Sequence, residues 1–265
     1  MNHNTIEIDD VHKVFTTPGG DVVALKDINL TIQPGEFVCL LGPSGCGKST
    51  LLNAVAGFQP PSKGSIKVDG KTILTPGPDR GMVFQEYALF PWMTVEQNIQ
   101  FGLEIQGKTH DEIEATVTQL LDMLHLKDFR QRFPKDLSGG MRQRVAIARV
   151  LALDSPIMLM DEPFGALDAL TRRNLQDELL RIWERLGKTI LFVTHSIEES
   201  IYLADRIVVM TYRPGTVKRD QWVDMPRPRD PASPAFNDLK RELGQLVMEE
   251  QQRHAEAEMK LAAVD

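Results

Sequence analysis

Gly42-Pro43-Ser44-Gly45-Cys46-Gly47-Lys48-Ser49-Thr50 is the stretch whose reading decides the fold. It fits the pattern of a phosphate-binding loop: glycine, four residues, then Gly-Lys-Ser/Thr. The apolar run Phe37-Val38-Cys39-Leu40-Leu41 comes directly before it and reads as a buried strand. Leu51 to Ala56 comes directly after and reads as a helix that stops at Gly57. Gly42, Gly45 and Gly47 let the backbone curl so that successive N–H groups face one concavity. The helix that starts near Lys48 turns its positive dipole end the same way. Lys48 has the reach for β- and γ-phosphates, and the Ser49 hydroxyl suits a ligand position on Mg²⁺. A glycine-rich turn that binds nothing would not need a buried strand on one side and a helix on the other.

The 265 residues make one large domain or two small ones, long enough to bury a substantial core. Hydrophobic content of 42 % with 25 % charged residues is that of an ordinary soluble protein. No apolar run approaches the roughly 18 residues of a membrane span. Met1-Asn2-His3-Asn4 has neither a basic nor an apolar segment, so no secretory signal is expected. Two cysteines, Cys39 and Cys46, are too few for a disulfide framework and fit a reducing cytosol. A net charge of −7 argues against a dedicated nucleic-acid binder. Cys46 lies inside the loop, so thiol alkylation is expected to inhibit and MgATP to protect.

Residues 5–33 read as antiparallel strands joined by turns. Phe15 is the aromatic among them; it serves either as a strand-face residue or as a stacking platform for a purine. Gln85 follows the apolar Met82-Val83-Phe84, at a strand end where ligands gather in α/β folds; a surface or capping role is the plainer alternative. From about Tyr87 to Leu153 the pattern is helical, with Thr94 and Gln97 as a capping box, and reads as a helical insert in the sheet domain. Ser138-Gly139-Gly140 opens the last of those helices. It is either a second anion-binding helix N-terminus or a plain cap with Ser138 as cap. Pro156 to Met160 reads as a buried strand ending in Asp161-Glu162, two carboxylates that are costly there unless a cation is near. With Mg²⁺ in the loop, Asp161 would hold the metal, while Glu162 would face the γ-phosphate and orient water. A third strand, Thr189 to Val193, ends in Thr194-His195, where His195 is either structural or a γ-phosphate contact. Beyond Arg213 the chain is proline-rich and is expected to be irregular until a final helix over about 235–260.

These motifs in this order resemble the ATP-binding subunits of ABC transporters. Gly42 to Thr50 is similar to that family's Walker A, Gln85 to its Q-loop and Leu137-Ser138-Gly139-Gly140 to its signature. Ile157 to Glu162 is similar to its Walker B with catalytic glutamate, Ala166-Leu167-Asp168 to its D-loop and His195 to its switch histidine. Phe15 falls where the family places an adenine-stacking aromatic. Met141 departs from the glutamine that many members carry. The segments Val83 to Trp92, Ser138 to Arg144, Thr194 to Glu199 and Met225 to Arg229 are similar to the nitrate, sulfonate, taurine and bicarbonate importer ATPases.

The resemblance implies a P-loop α/β ATPase fold over 1–225, with an N-terminal antiparallel subdomain and a helical subdomain inserted at about 87–153. A proline-rich segment and helix would follow over 226–265. ATP and Mg²⁺ are the implied cofactors, with Ser49, Gln85 and Asp161 at the metal. Catalysis is implied for Glu162, His195 and Gln85, and nucleotide contact for Phe15, the loop residues Gly42 and Ser44 to Thr50, Ser138, Gly139, Gly140 and Asp168. The implied partners are a second ATPase subunit, whose signature covers this chain's nucleotide, two integral-membrane permease subunits and, indirectly, a solute-binding protein. The implied location is the cytoplasmic face of the inner membrane. A soluble ABC ATPase of translation or DNA repair is the main alternative; such proteins usually carry two ATPase halves or a long coiled coil, and one Walker A is found here.

Overall fold

The computed structural model describes residues 4–262, with side chains through residue 256. In chain order the first elements are β1 (Ile6–Thr17), β2 (Gly20–Ile32), β3 (Phe37–Leu41), α1 (Lys48–Ala56), β4 (Lys63–Val68), β5 (Lys71–Thr72) and β6 (Arg80–Val83). Next come α2 (Val95–Ile105), α3 (His110–Met123), α4 (Gly139–Ala152), β7 (Ile157–Asp161) and α5 (Ala169–Leu186). The chain ends with β8 (Thr189–Thr194), α6 (Ile197–Leu203), β9 (Arg206–Met210), β10 (Val217–Trp222) and α7 (Pro234–Ala262). The chain divides into two compact units: everything before Pro78 together with everything from Thr189 onward, and Pro78–Lys188.

In the first unit, β1 and β2 pair antiparallel from Ile6 beside Ile32 to Thr17 beside Gly20. With β4 and β5 they form a sheet of order β2-β1-β4-β5. Its buried face carries Ile6, Ile8, Val11, Ile28, Leu30 and Ile32. β3 runs parallel to β8 on one side and to β9 on the other. Every residue of these three strands is buried, so their centres are apolar runs that do not alternate, with Thr189, Thr194 and Arg206 at strand ends. Phe37 and Phe192 meet with ring centroids 5.9 Å apart, and a fully buried phenylalanine contributes about 1.5–3 kcal/mol.

The region beyond Arg213 is more ordered than its prolines imply. β10 pairs antiparallel with β9, Val217 beside Met210 and Trp222 beside Arg206. Its Lys-Arg-Asp-Gln centre suits an edge strand, where charge discourages further pairing, and hides it from a search for apolar runs. The proline segment that follows is fixed by two arginines. Arg227 Nη1 lies 2.6 Å from Asp205 Oδ1. Buried Arg229 donates from Nη1 to the carbonyls of Ile201 (2.6 Å) and Ala204 (2.5 Å), which end α6 without further helical partners. α7 packs against α6 and β9 and buries Phe236, Leu243, Val247 and Glu250.

In the second unit, β6 and β7 are parallel, Arg80 beside Ile157 and Val83 beside Met160. Capping boxes open α2 (Thr94 with Gln97) and α3 (Thr109 with Glu112). Helix begins only at Val95, not near Tyr87. Pro91 and the left-handed backbone of Tyr87 (φ 61°) and Ala88 (φ 48°) keep residues 84–94 out of it. Among the described residues no helix is long and apolar enough to cross a membrane.

Candidate functional site

The first unit assembles the phosphate loop with His195. Leu41 sits beside Thr194 in the β3–β8 register, so the loop after β3 and the histidine after β8 leave the sheet together. His195 is exposed. The turn around it is held by Ser196 N–H donating to Thr194 Oγ1 at 3.0 Å, and Ser196 then caps α6.

Side chains cap α2 to α6, from Thr94, Thr109, Ser138, Asp168 and Ser196 in turn. α1 differs: its cap is Gly47, with φ 98° and no side-chain acceptor. A Cβ there would also stand 2.7 Å from Leu25 Cδ2 and 3.0 Å from the Ala24 carbonyl, so glycine is required twice over. The first-turn amides of α1 therefore take nothing from a side-chain cap, which is the arrangement an anion completes. Lys48 is buried, and its Nζ donates to the carbonyls of Gly42 (2.8 Å) and Pro43 (2.9 Å), bracing the loop from within. Ser44 and Gly45 are exposed at the rim, and Ser49 and Thr50 are half-buried on the first turn.

Cys46 is fully buried, and its Sγ lies 3.7 Å from Lys48 Nζ. Burial pushes the thiol above its ordinary range against the pull of Lys48. That corrects the expectation of an alkylation-sensitive cysteine: its backbone belongs to the loop, but its sulfur faces the core. Phe15 is half-buried on β1 with Lys13 Nζ 5.2 Å from its ring centre.

The second unit holds the remaining candidates. Asp161 ends β7, half-buried. Glu162 follows with φ 42°, a left-handed conformation that a glutamate adopts only when its surroundings impose it. Its carbonyl accepts from Gly165 N–H at 3.1 Å, which closes the turn. Asp168 caps α5 by accepting from Thr171 N–H at 3.0 Å, and that amide holds its carboxyl below the usual range. Ser138 caps α4, accepting from Met141 N–H at 3.3 Å. The start of α4 approaches the start of α5 so closely that a Cβ on Gly140 would lie 2.5 Å from Thr171 Cγ2. Gly139, Gly140 and Asp168 thus belong to one corner of this unit.

Gln85 is exposed at the head of the loop after β6. Two residues that the motifs did not single out give that loop its shape. Asn98 is fully buried, accepts from Phe90 N–H (2.9 Å) and donates to the carbonyls of Phe90, Met93 and Thr94. Arg149 donates to the Ala88 carbonyl at 2.7 Å and lies 5.2 Å from the Phe90 ring centre. Burial pushes its guanidinium below the ordinary range. Asn98 had a signal: it shares a helical face with apolar Val95 and Ile99. Arg149 had none beyond lying on a basic helix. The result is a formed loop that presents Trp92, 69 % exposed, at its tip.

Residues 25–165 match the ABC transporter family. The chain is 49 % identical over 237 residues to a nitrate import ATP-binding protein of Synechocystis sp., covering 89 % of each chain. It is 44 % identical over 256 residues to a taurine import ATP-binding protein of Jannaschia sp., covering 93 % of this chain and 96 % of that one. Among solved structures, a dimeric ATP-binding cassette in a post-hydrolysis state with ADP and Pi superposes with a TM-score of 0.74 at 33 % identity, covering 83 % of this chain and 99 % of that one.

Proposed function

The chain belongs to the ABC transporter family, and from that membership we propose that it is the ATP-hydrolysing subunit of an importer for a small solute, an anion such as nitrate, a sulfonate, taurine or bicarbonate. The observation that carries the ATPase reading is the buried Lys48 ammonium braced on two loop carbonyls at the start of the one helix, among α1 to α6, without a side-chain cap. The solute class rests on the likeness to nitrate and taurine import subunits.

The residues fit a nucleotide with its magnesium. The α1 amides and the loop from Ser44 to Thr50 receive the β- and γ-phosphates, as dipole and donors dictate. Lys48 exchanges its loop carbonyls for phosphate oxygens. Ser49, Gln85 and Asp161 would offer oxygen donors to Mg²⁺, which would neutralise charge on the phosphates. Glu162 orients the attacking water and takes its proton, and His195 and Gln85 hold the γ-phosphate end. Phe15 stacks on the base. Ser138, Gly139, Gly140 and Asp168 act on the nucleotide of a second copy, so bound ATP joins two subunits and hydrolysis parts them. The ATPase domain spans 1–225 with its helical subdomain at about 87–153, and 226–265 forms the C-terminal segment.

The subunit works peripherally at the cytoplasmic face of the inner membrane. Trp92 and Ile105 are strongly exposed apolar groups of the second unit, and a membrane-embedded permease subunit is the partner that would cover such a surface. The test is reconstitution with the neighbouring permease and binding protein in liposomes, scoring MgATP-driven uptake of labelled nitrate, taurine, alkanesulfonate and bicarbonate. Uptake of one of them supports the reading. ATP hydrolysis without coupling to any permease would favour the soluble alternative.

A further inference from the structure

The turn between β9 and β10, Thr211-Tyr212-Arg213-Pro214-Gly215-Thr216, has no part in the roles above, yet it forms a wall of the phosphate loop. Arg213 Nε donates to the Gly45 carbonyl at 3.3 Å. The ideal Cβ position of Gly45 is 3.7 Å from Arg213 Nη2 and 3.9 Å from Tyr212 Cε2. A Cβ on Gly215 would fall 2.2 Å from the Cys46 carbonyl, so only glycine lets the two backbones touch. The same glycine is pinned to β2: its N–H donates to Ala24 O at 2.9 Å and its carbonyl accepts from Lys26 N–H at 3.0 Å.

The far side of the turn is held by α7. Glu250 is completely buried, and its carboxylate accepts from Tyr212 N–H (2.9 Å), Lys218 Nζ (2.7 Å) and Arg253 Nη1 (3.1 Å). Burial pushes that carboxyl up, but the Lys218 ammonium and the Tyr212 amide outweigh it and hold the group below its ordinary value. One turn further along α7, the His254 ring stacks on Tyr212 with centroids 4.0 Å apart and planes 8° from parallel. An unbroken run of contacts thus leads from the C-terminal helix through Tyr212 and Arg213 to Gly45.

We propose that Arg213 is a positioning residue for the phosphate loop, and that Glu250 on α7 sets its position by holding the Tyr212 backbone. The Gly45 carbonyl and the Cys46 N–H are two ends of one peptide. An arginine on the carbonyl fixes the plane of that peptide and strengthens its N–H as a donor. It also adds positive charge where phosphate lies. The C-terminal helix is then part of the nucleotide site's frame, acting through the turn between β9 and β10.

The inference rests on the loop being a MgATP site, and the experiment separates the two ideas. Binding of a fluorescent ATP analogue to the full-length wild type is measured first; no binding there would refute the ATP reading itself. Given wild-type binding, Arg213→Ala is expected to raise the analogue's Kd and the KM for MgATP about 5- to 20-fold, with kcat in the assembled transporter within 2-fold. Arg213→Lys, which can still donate to a carbonyl, is expected to recover most of the loss. An unchanged Kd in folded Arg213→Ala, or no recovery with lysine, overturns the role of Arg213. Glu250→Ala, or Glu250→Gln should the alanine variant fail to fold, is expected to raise Kd as well. Combined with Arg213→Ala it should add less than its separate effect, because both act through one turn. Full additivity overturns the link to α7.

Discussion

Replacing Lys48 by methionine keeps most of the side-chain stem and removes the ammonium, so it asks what the charge does with and without nucleotide. Without nucleotide, Nζ is buried and donates to the carbonyls of Gly42 and Pro43 at 2.8 and 2.9 Å. Hydrogen bonds from a charged donor contribute roughly 1.5–3 kcal/mol each, and desolvation of the ammonium offsets a large part of the pair. A net loss of about 2 kcal/mol is therefore expected, equivalent to a fall of roughly 4–8 °C in Tm for a chain of this size. With MgATP at one hundred times its Kd the wild type gains about 2.7 kcal/mol, which raises its Tm by roughly 5–10 °C. Lys48→Met should gain almost nothing at the same concentration. Scanning calorimetry of both proteins, with and without MgATP, measures all four values. A methionine variant that melts within a degree of wild type and keeps the full nucleotide shift would refute the reasoning. One that melts low but keeps the shift would leave Lys48 a purely structural brace.

Glu162→Gln should retain MgATP binding while hydrolysis falls about 10²–10⁴-fold, and it should trap an ATP-bound dimer; near-normal turnover would move the water-orienting role elsewhere. Mixing inactive Lys48→Ala with inactive Ser138→Arg subunits should restore some hydrolysis, since the mixed dimer has one site with both an intact loop and an intact α4 start. No recovery with heterodimers demonstrated, alongside an active dimer of wild type with Ser138→Arg, would rule out sharing across subunits. Because Glu250 is held below its ordinary value near 4.5, its stabilising contribution is complete above about pH 4.5 and fades as pH falls further. Chemical unfolding between pH 3 and 6 should show Glu250→Gln less stable than wild type at pH 6 and the gap narrowing below pH 4.5; a constant gap would contradict this. Cys46 should resist thiol reagents in the native protein and react fully once unfolded, as followed by mass spectrometry, and fast native labelling would show that the loop opens far more than its packing implies.

The parts of the molecule written in consecutive residues were legible from the sequence. A phosphate loop needs its glycines, lysine and hydroxyl within nine positions, and the strand before it must be apolar throughout because helices and neighbouring strands leave it no wet face. The boxes at Thr94 and Thr109 were readable in principle for the same reason, being local hydrogen-bond geometry. What escaped the sequence is set by partners far along the chain. β10 is a strand because β9 offers it an edge, not because Lys-Arg-Asp-Gln favours one. Cys46 looked accessible inside a loop, and only the full burial of its side chain, with its sulfur 3.7 Å from Lys48 Nζ, shows otherwise. The left-handed backbone of Glu162 leaves no mark in its neighbours, since Asp-Glu-Pro reads equally well as an ordinary turn.

The position of β3 has a consequence for synthesis. Its five apolar residues emerge early from the ribosome, but the strands that flank it on both sides, β8 and β9, are made about 150 residues later. At a translation rate of about 5–20 residues per second the wait is roughly 8–30 s. During that time both edges of an unbroken hydrophobic strand are open to any other chain. Nascent copies are therefore natural clients for chaperones, and slower growth at low temperature should favour soluble yield. A fragment ending before Thr189 would not be a smaller domain; it would be a chain with β3 unpaired on both sides, and it should aggregate.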